Sequence, residues 1–273
     1  MQIEPNRRMD TTEMYYREKE SAIYDLEYAW KTDDNEFWQT LAREFATDGR
    51  ALELACGTLR LALLLAENGI HVTGVDLSPH MLALARRKLG HYAPAIQARI
   101  TLHEADMRSV RLDEKFNFVY LPFNTFLVLT TAQDQLALFE TVRAHLAPGG
   151  MFAFDIFMPD INRLKIEHNP AWELEVDQTI RGTGFRLQRD HAREIDPIRQ
   201  TMVVHFRMRE FQDNVLQREW LSDLHMTYIF PRELEHLIAR AGFEIVHFWG
   251  DYARNDFYAL RDPQKQIVVV RAV

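Results

Sequence analysis

The sequence has a single cysteine, Cys56, in 273 residues. No internal disulfide can form, so a reducing, cytoplasmic setting is the expectation. No apolar run approaches the roughly 20 residues of a membrane span. The opening, MQIEPNRRMDTTEMYY, lacks the apolar core of a secretion signal. There is no excess of positive charge. Lys and Arg number 32 against 40 Asp and Glu, a net charge of −8, the wrong sign for gripping a nucleic-acid backbone. A phosphate-cradling G-x-x-x-x-G-K-[ST] loop is missing, and so is any internal repeat of a solenoid. Hydrophobic residues make up 47% of the chain, which excludes disorder as the main theme and allows a full core.

What is present falls into three parts. Residues 1–46 read as an N-terminal helical lid. Asp10-Thr11-Thr12-Glu13 resembles a capping box, and Phe37, Leu41 and Phe45 recur at helical spacing. Residues 47–159 and 229–273 form a core in which strands alternate with helices. The strands are expected near 51–54, 71–76, 100–103, 116–120, 151–157, 243–249 and 266–270. Ser78-Pro79 opens a helix, with Ser as N-cap and Pro at the first position. Such alternation implies an α/β fold with a mostly parallel, doubly wound sheet. The last two strands are joined without a helix, so they pair antiparallel. Residues 160–228 break the rhythm. Strands at 173–180, 184–194, 198–211 and 215–228 read as an inserted antiparallel β meander.

The chemistry concentrates where the first strand ends. Ala55-Cys56-Gly57-Thr58 is a small-residue turn leading into a helix, a corner rich in free backbone amides. Asp76 ends the next strand 19 positions after Gly57, a spacing suited to an acidic residue that binds ribose hydroxyls. The nicotinamide fingerprint G-x-G-x-x-G keeps one glycine here. Its last glycine is Arg60, which argues against a nicotinamide enzyme. Cys56 reads as a small turn filler, and His103-Glu104-x-Asp106 as a solvated strand end, with no metal expected.

The wider pattern is more specific. Glu53-Leu54-Ala55-Cys56-Gly57-Thr58, then Val72-Thr73-Gly74-Val75-Asp76-Leu77-Ser78-Pro79 with Met81-Leu82, resembles the class I S-adenosylmethionine-dependent methyltransferases. The resemblance continues through Ala105-Asp106-Met107, Phe118-Val119-Tyr120, Pro148-Gly149-Gly150 and Ala241-Gly242-Phe243. It implies a seven-stranded sheet of order 3-2-1-4-5-7-6 with a reversed final hairpin. S-adenosyl-L-methionine is the implied cofactor. Glu53, Ala55, Cys56 and Gly57 would hold its methionine part, Asp76 its ribose and Leu77 its adenine face. Asp106 and Met107 would meet the adenine edge, with Met81 closing that side. Leu121 and Pro122 would border the sulfonium, and Tyr24 would touch the cofactor from the lid. Tyr15, Tyr16, Phe123 and Asn124 are the candidate acceptor wall, with Trp30 beside them. His191, His205 and His225 are candidate bases in the insertion.

Two departures from the family stand out. Leu59 occupies a position where the family uses glycine, and Val128 one where some small-molecule N-methyltransferases carry histidine. The expected function is methyl transfer to a nitrogen or oxygen of a small-molecule acceptor. The competing expectation is a non-catalytic cofactor-binding module marked by Leu59. No nucleic-acid or membrane partner is expected, and the open edges of the meander offer a homodimer contact.

Overall fold

The computed structural model describes residues 18–161, 164, 171–180 and 182–273. The capping box at 10–13, Tyr15 and Tyr16 lie outside them. Two helices come first, α1 (Glu18–Glu27) and α2 (Asn35–Phe45). Alternation follows: β1 (Arg50–Leu54), α3 (Arg60–Glu67), β2 (His71–Asp76), α4 (Pro79–Leu89), the short α5 (Pro94–Gln97), β3 (Ile100–Glu104), β4 (Phe116–Leu121), α6 (Ala132–His145) and β5 (Leu146–Phe157). The insertion contributes β6 (Glu173–Thr179), β7 (Phe185–Asp196), β8 (Thr201–Gln212) and β9 (Val215–Thr227). The chain closes with α7 (Pro231–Arg240), β10 (Phe243–Trp249) and β11 (Lys265–Ala272).

The main sheet has the order β10-β11-β5-β4-β1-β2-β3. Counted over the core strands alone, this is 3-2-1-4-5-7-6. The pairs β1–β2, β2–β3, β1–β4 and β4–β5 are parallel, and β11 lies antiparallel to both neighbours. Strand order reverses between β1 and β4, the crevice where open α/β sheets take ligands.

Side-chain alternation makes two apolar layers. Along β4, Phe116, Val119 and Leu121 join one cluster with Phe126, Phe139, Phe152 and Phe154. Phe118 and Tyr120 join the other, with Phe37, Trp38 and Leu41 of α2. Phe126 stacks on Phe154 at 4.7 Å and Phe154 on Phe152 at 5.2 Å. Truncating one such buried ring costs about 3–5 kcal/mol. The second sheet, β6-β7-β8-β9, belongs to the first layer: Leu187, Met202, Val204, Phe206 and Met208 join its cluster. The insertion therefore packs on the same apolar face as α6 and roofs the ends of the core strands.

Local chemistry explains the element ends. The Ser78 hydroxyl accepts the Met81 N–H at 3.2 Å, as its N-cap position requires. Asp213 and Asn214, at φ 49° and 66°, make the left-handed two-residue turn of the β8–β9 hairpin. The β7–β8 connection is longer than the sequence pattern suggests, and β8 starts three residues later. Asp196 there accepts the N–H of both Ile198 and Arg199 at 3.0 Å, which locks residues 197–200 into a turn. Strand β5 starts earlier than expected, since Leu146 already pairs with Phe116 before a bulge through Pro148-Gly149-Gly150. Gly74 serves close packing. A Cβ there would lie 2.8 Å from the Cys56 sulfur, so its absence lets the turn after β1 rest directly on β2.

Candidate functional site

The turn after β1 alternates unusual backbone states. Ala55, Gly57 and Leu59 have φ of 54°, 53° and 68°. Two backbone bonds fix it, Cys56 N–H to the Val75 carbonyl and Leu59 N–H to the Cys56 carbonyl, both 2.9 Å. Asp76 completes the corner. One carboxylate oxygen accepts the Gly57 N–H and the other the Ser78 N–H, each at 2.8 Å. Burial pushes the Asp76 carboxyl up from its usual range against the pull of these amides.

Glu53 lies deeper, 3% exposed, and accepts the Tyr120 hydroxyl at 3.0 Å. Burial pushes its carboxyl up to about 8, so at neutral pH most of it carries a proton. Burial also drives the Cys56 thiol well above its ordinary value. Cys56 is therefore a buried turn filler and not a thiolate nucleophile.

The N-terminal helices are tied to this corner by charge. Thr58 donates its hydroxyl to Asp25 at 2.6 Å, and Lys88 reaches the same carboxylate at 3.0 Å. Arg60 binds both oxygens of Asp34, at 2.7 and 2.8 Å. Against its burial, Asp34 is held below the usual carboxylate range by this Arg60 bond. Arg60 thus points away from the helix–sheet contact where a glycine fingerprint would want no side chain.

A cavity of about 1060 Å³ opens from this corner. One end is walled by Tyr24, Glu53, Ala55, Cys56, Gly57, Asp76, Leu77, Met81, Asp106 and Met107, with Thr58 and Arg60 added. Pro122, Phe123 and Asn124 border its middle. The other end reaches Ile195, Met202, Val204, Phe206 and Met226 of the insertion, with Glu175, Arg189, Arg193, Asp223 and His225 as its charged or titratable groups.

Some expected residues stand differently. Leu121 is fully buried in the apolar layer and is not on the wall, because strand alternation turns it into the sheet's core face. Asp106 reaches the wall, but its carboxylate already takes the Arg108 N–H and the Arg108 guanidinium at 2.6–3.0 Å. It has little capacity left for an adenine amine unless Arg108 moves.

Of the insertion's histidines, His225 lines the cavity beside Asp223, whereas His191 and His205 do not. Register sets Val204 opposite Arg193 and Leu224, but His205 opposite Ala192 and Asp223 and Val203 opposite His225. His205 and His225 thus share the sheet face opposite Val204 and Leu224, where His205 bonds Asp223 at 2.7 Å, and His225 still reaches the cavity at the end of β9. His191 is on the cavity-side face, but it lies 3.2 Å from Glu175 and 3.6 Å from Glu173.

Sequence reasoning passed over Arg60, Thr58, Tyr28 and Arg189. Arg189 is 2% exposed and pairs with Glu27 and Glu175, and it donates to the Tyr28 hydroxyl at 3.0 Å. Only the odd placement of Arg60 after the turn was a usable signal. The Glu27–Arg189 contact joins residues far apart in the chain, which no local pattern encodes.

The family profile described as a methyltransferase domain matches residues 51–150. A phosphatidylethanolamine N-methyltransferase from Cereibacter sphaeroides is 31% identical over 143 residues, 52% of this chain and 67% of that protein. The chain belongs to the class I S-adenosylmethionine-dependent methyltransferases. A dTDP-3-amino-3,4,6-trideoxy-alpha-D-glucopyranose N,N-dimethyltransferase from Streptomyces venezuelae is 26% identical over 249 residues, 86% of this chain and 94% of that protein. The structure of the CcbJ methyltransferase from Streptomyces caelestis shares the fold, with a TM-score of 0.76 at 24% identity over 94% of this chain and all of that one. Other curated relatives are spanned over only about half their length, 42%, 44% and 51% for three of them.

Among class I methyltransferases the leucine at position 59 is the feature that needed explaining. It caps α3 in the left-handed region, is fully buried within the α2–α3 apolar layer, and is not on the cavity wall. The residues on that wall fit the family's donor. Gly57 has a cradle geometry, since a Cβ there would press on the Met81 methyl at 3.2 Å. Asp76 offers a buried, amide-anchored carboxylate, and Leu77, 37% exposed, offers an apolar surface.

Leu59→Gly separates the two roles. It removes left-handed strain of about 1–2 kcal/mol but opens a void whose formation costs about 2–5 kcal/mol. The expected result is a less stable protein, by about 1–3 kcal/mol in urea unfolding, with unchanged S-adenosylhomocysteine affinity by calorimetry. A large gain in affinity would show that Leu59 does obstruct the cleft.

Proposed function

We propose that the chain transfers a methyl group from S-adenosylmethionine to an amine nitrogen of a small molecule. One observation carries the reading. A single cavity runs from the Gly57–Asp76 corner, past Pro122–Asn124, to an apolar wall provided by the insertion. Donor and acceptor halves therefore share one continuous cleft. The assignment to nitrogen draws on two relatives that are N-methyltransferases by name, one matched over 94% of its length and the other over 67%.

Bound S-adenosylmethionine supplies an activated methyl on a sulfonium. The chain's own residues hold the parts together. Asp76 is suited to the ribose hydroxyls, and Glu53 with the 55–57 turn to the methionine end. Tyr24 and Leu77 are suited to the apolar surfaces. Alignment of this kind is worth effective molarities of roughly 10⁵–10⁸ M when the geometry is right. The N-terminal helices and the insertion act as a lid that keeps water out, tied down by Arg189, Glu27, Arg60 and Asp34. Val128 puts no imidazole on the turn after β4, and among the insertion's lining residues Asp223 and His225 are placed to take a proton from the acceptor. The runner-up, a binding module without turnover, loses its main support once Leu59 lies outside the cavity.

The remaining readings follow from composition and surface. With one buried cysteine and net charge −8, the setting we favour is the cytoplasm, without nucleic-acid partners. No helix among the described residues is long and apolar enough to cross a membrane. We also propose a homodimer through β9, the open edge of the inserted sheet, which exposes Val215, Leu216 and Leu221 at 61%, 49% and 67%. Light scattering should give twice the chain mass, and a monomeric mass at working concentration rejects the contact.

Two binding measurements test the donor half. Asp76→Ala should weaken S-adenosylhomocysteine binding by roughly ten- to a hundredfold in calorimetry, the loss expected for a hydrogen bond to a charged group. Unchanged affinity counts against the site. The pH dependence tests Glu53. Below about pH 8 the free protein holds a proton on this carboxyl. An ammonium group brought beside it favours the ionised form, so binding releases that proton. Affinity should therefore rise with pH from 6 to 8, and Glu53→Gln should flatten the rise. A pH-independent affinity in the wild type places the ammonium elsewhere.

A further inference from the structure

Arg193 carries a charge that the fold leaves unanswered. It is half-buried on β7 and borders the insertion's end of the cavity. Strand pairing sets it opposite Val204 of β8, and Val204 in turn opposite Leu224 of β9. Residues directly opposite in antiparallel strands share one face, so its neighbours across the sheet are apolar, and both line the cavity. Along β7 the same face carries His191 and Ile195 on either side, neither of them an anion. Among the described residues no carboxylate pairs with Arg193.

The other guanidinium groups of the cavity wall are neutralised by the protein itself. Arg60 binds Asp34, Arg108 binds Asp106, and Arg189 pairs with Glu27. The remaining described arginines of the insertion also meet carboxylates. With 40 acidic residues against 32 basic ones, the chain is not short of partners, so the lack of one at Arg193 is a property of that place. A charge beside an apolar wall is costly while unpaired, and the planar fork of a guanidinium matches a carboxylate.

We infer that Arg193 is the subsite for a carboxylate on the acceptor, so that the substrate class is an amine that also bears a carboxylic acid. The inference rests on the methyltransferase reading above and adds the acceptor's second functional group. One free cation sets the charge. Glu175 and Asp223 border the same end, so a group with two negative charges is repelled where a single one is held. A diphosphate-linked acceptor is therefore disfavoured. Val204, Leu224 and Ile195 lower the local dielectric around the pair, which strengthens it, and they suit the hydrocarbon part of the acid.

The test uses the full chain saturated with S-adenosylhomocysteine. Benzoate, its uncharged analogue benzamide and the dianion phenyl phosphate are titrated in by calorimetry at neutral pH. The wild type should bind benzoate about tenfold more tightly than benzamide, as for a hydrogen bond to a charged group, and phenyl phosphate no more tightly than benzoate. Arg193→Gln should abolish the preference for benzoate. Arg193→Met keeps the apolar stem and should give the same loss, whereas Arg193→Lys keeps a cation and should retain part of the preference. The affinity of each variant for S-adenosylhomocysteine reports that its fold and donor half are intact. Equal affinities for benzoate and benzamide in the wild type, no measurable benzoate binding, or a preference that survives removal of the charge would overturn the assignment. Arg193 would then be a solvated head on an apolar stem. Tighter binding of phenyl phosphate than of benzoate contradicts the carboxylate. Failure of S-adenosylhomocysteine to bind the wild type is a separate result, which rejects the parent reading and with it the acceptor role given to Arg193.

Discussion

The carboxylate of Asp76 is the pin of the site. It ends β2 and accepts one backbone N–H from the turn after β1 and one from the start of α4. Three elements that are separate in the chain are thereby fixed to one charged group. The parallel pairing of β1 with β2 puts Asp76 next to that turn, and the missing side chain at Gly74 lets the turn sit close. Without this bond network, Gly57 and Ser78 would present buried amides with no acceptor, and the donor half of the cavity would lose its shape.

Strain and burial are exchanged on both sides of this pin. Ala55 and Leu59 hold left-handed backbone in the donor turn, and Phe123 and Asn124 do so on the acceptor side. The opposing gains differ. Leu59 is repaid by full burial in the α2–α3 layer, whereas Phe123 and Asn124 are held by hydrogen bonds to Asp155. The first is strain in the service of packing. The second fixes the backbone of two residues that border the cavity.

The fold was legible because its period is strong. The β4 segment, Phe116 to Leu121, is apolar on both faces, as a central parallel strand must be. The Gly57–Asp76 spacing carried the donor corner. The edges were less readable. The lateness of β8 depends on Asp196 capturing two amides, and the early start of β5 on a bulge through three turn residues. Neither leaves a periodic trace. Leu121 was misplaced by one face because the end of a strand offers too few residues to set its phase. The occupied state of Asp106 depends on Arg108, two residues on, whose side chain sequence alone does not orient. The histidines of the insertion alternate with apolar neighbours in a way that fits either face until the register is known. Long-range ion pairs such as Arg189 with Glu27 were invisible for a simpler reason: two distant polar residues carry no mutual signal in one sequence.

The most direct test of the central claim is a crystal structure of the chain with S-adenosylhomocysteine. The account predicts both ribose hydroxyls within hydrogen-bond distance of the Asp76 carboxylate, with Leu59 still buried behind the turn. A nucleoside seated elsewhere, or a turn that must unwind and expel Leu59 to admit it, would contradict it.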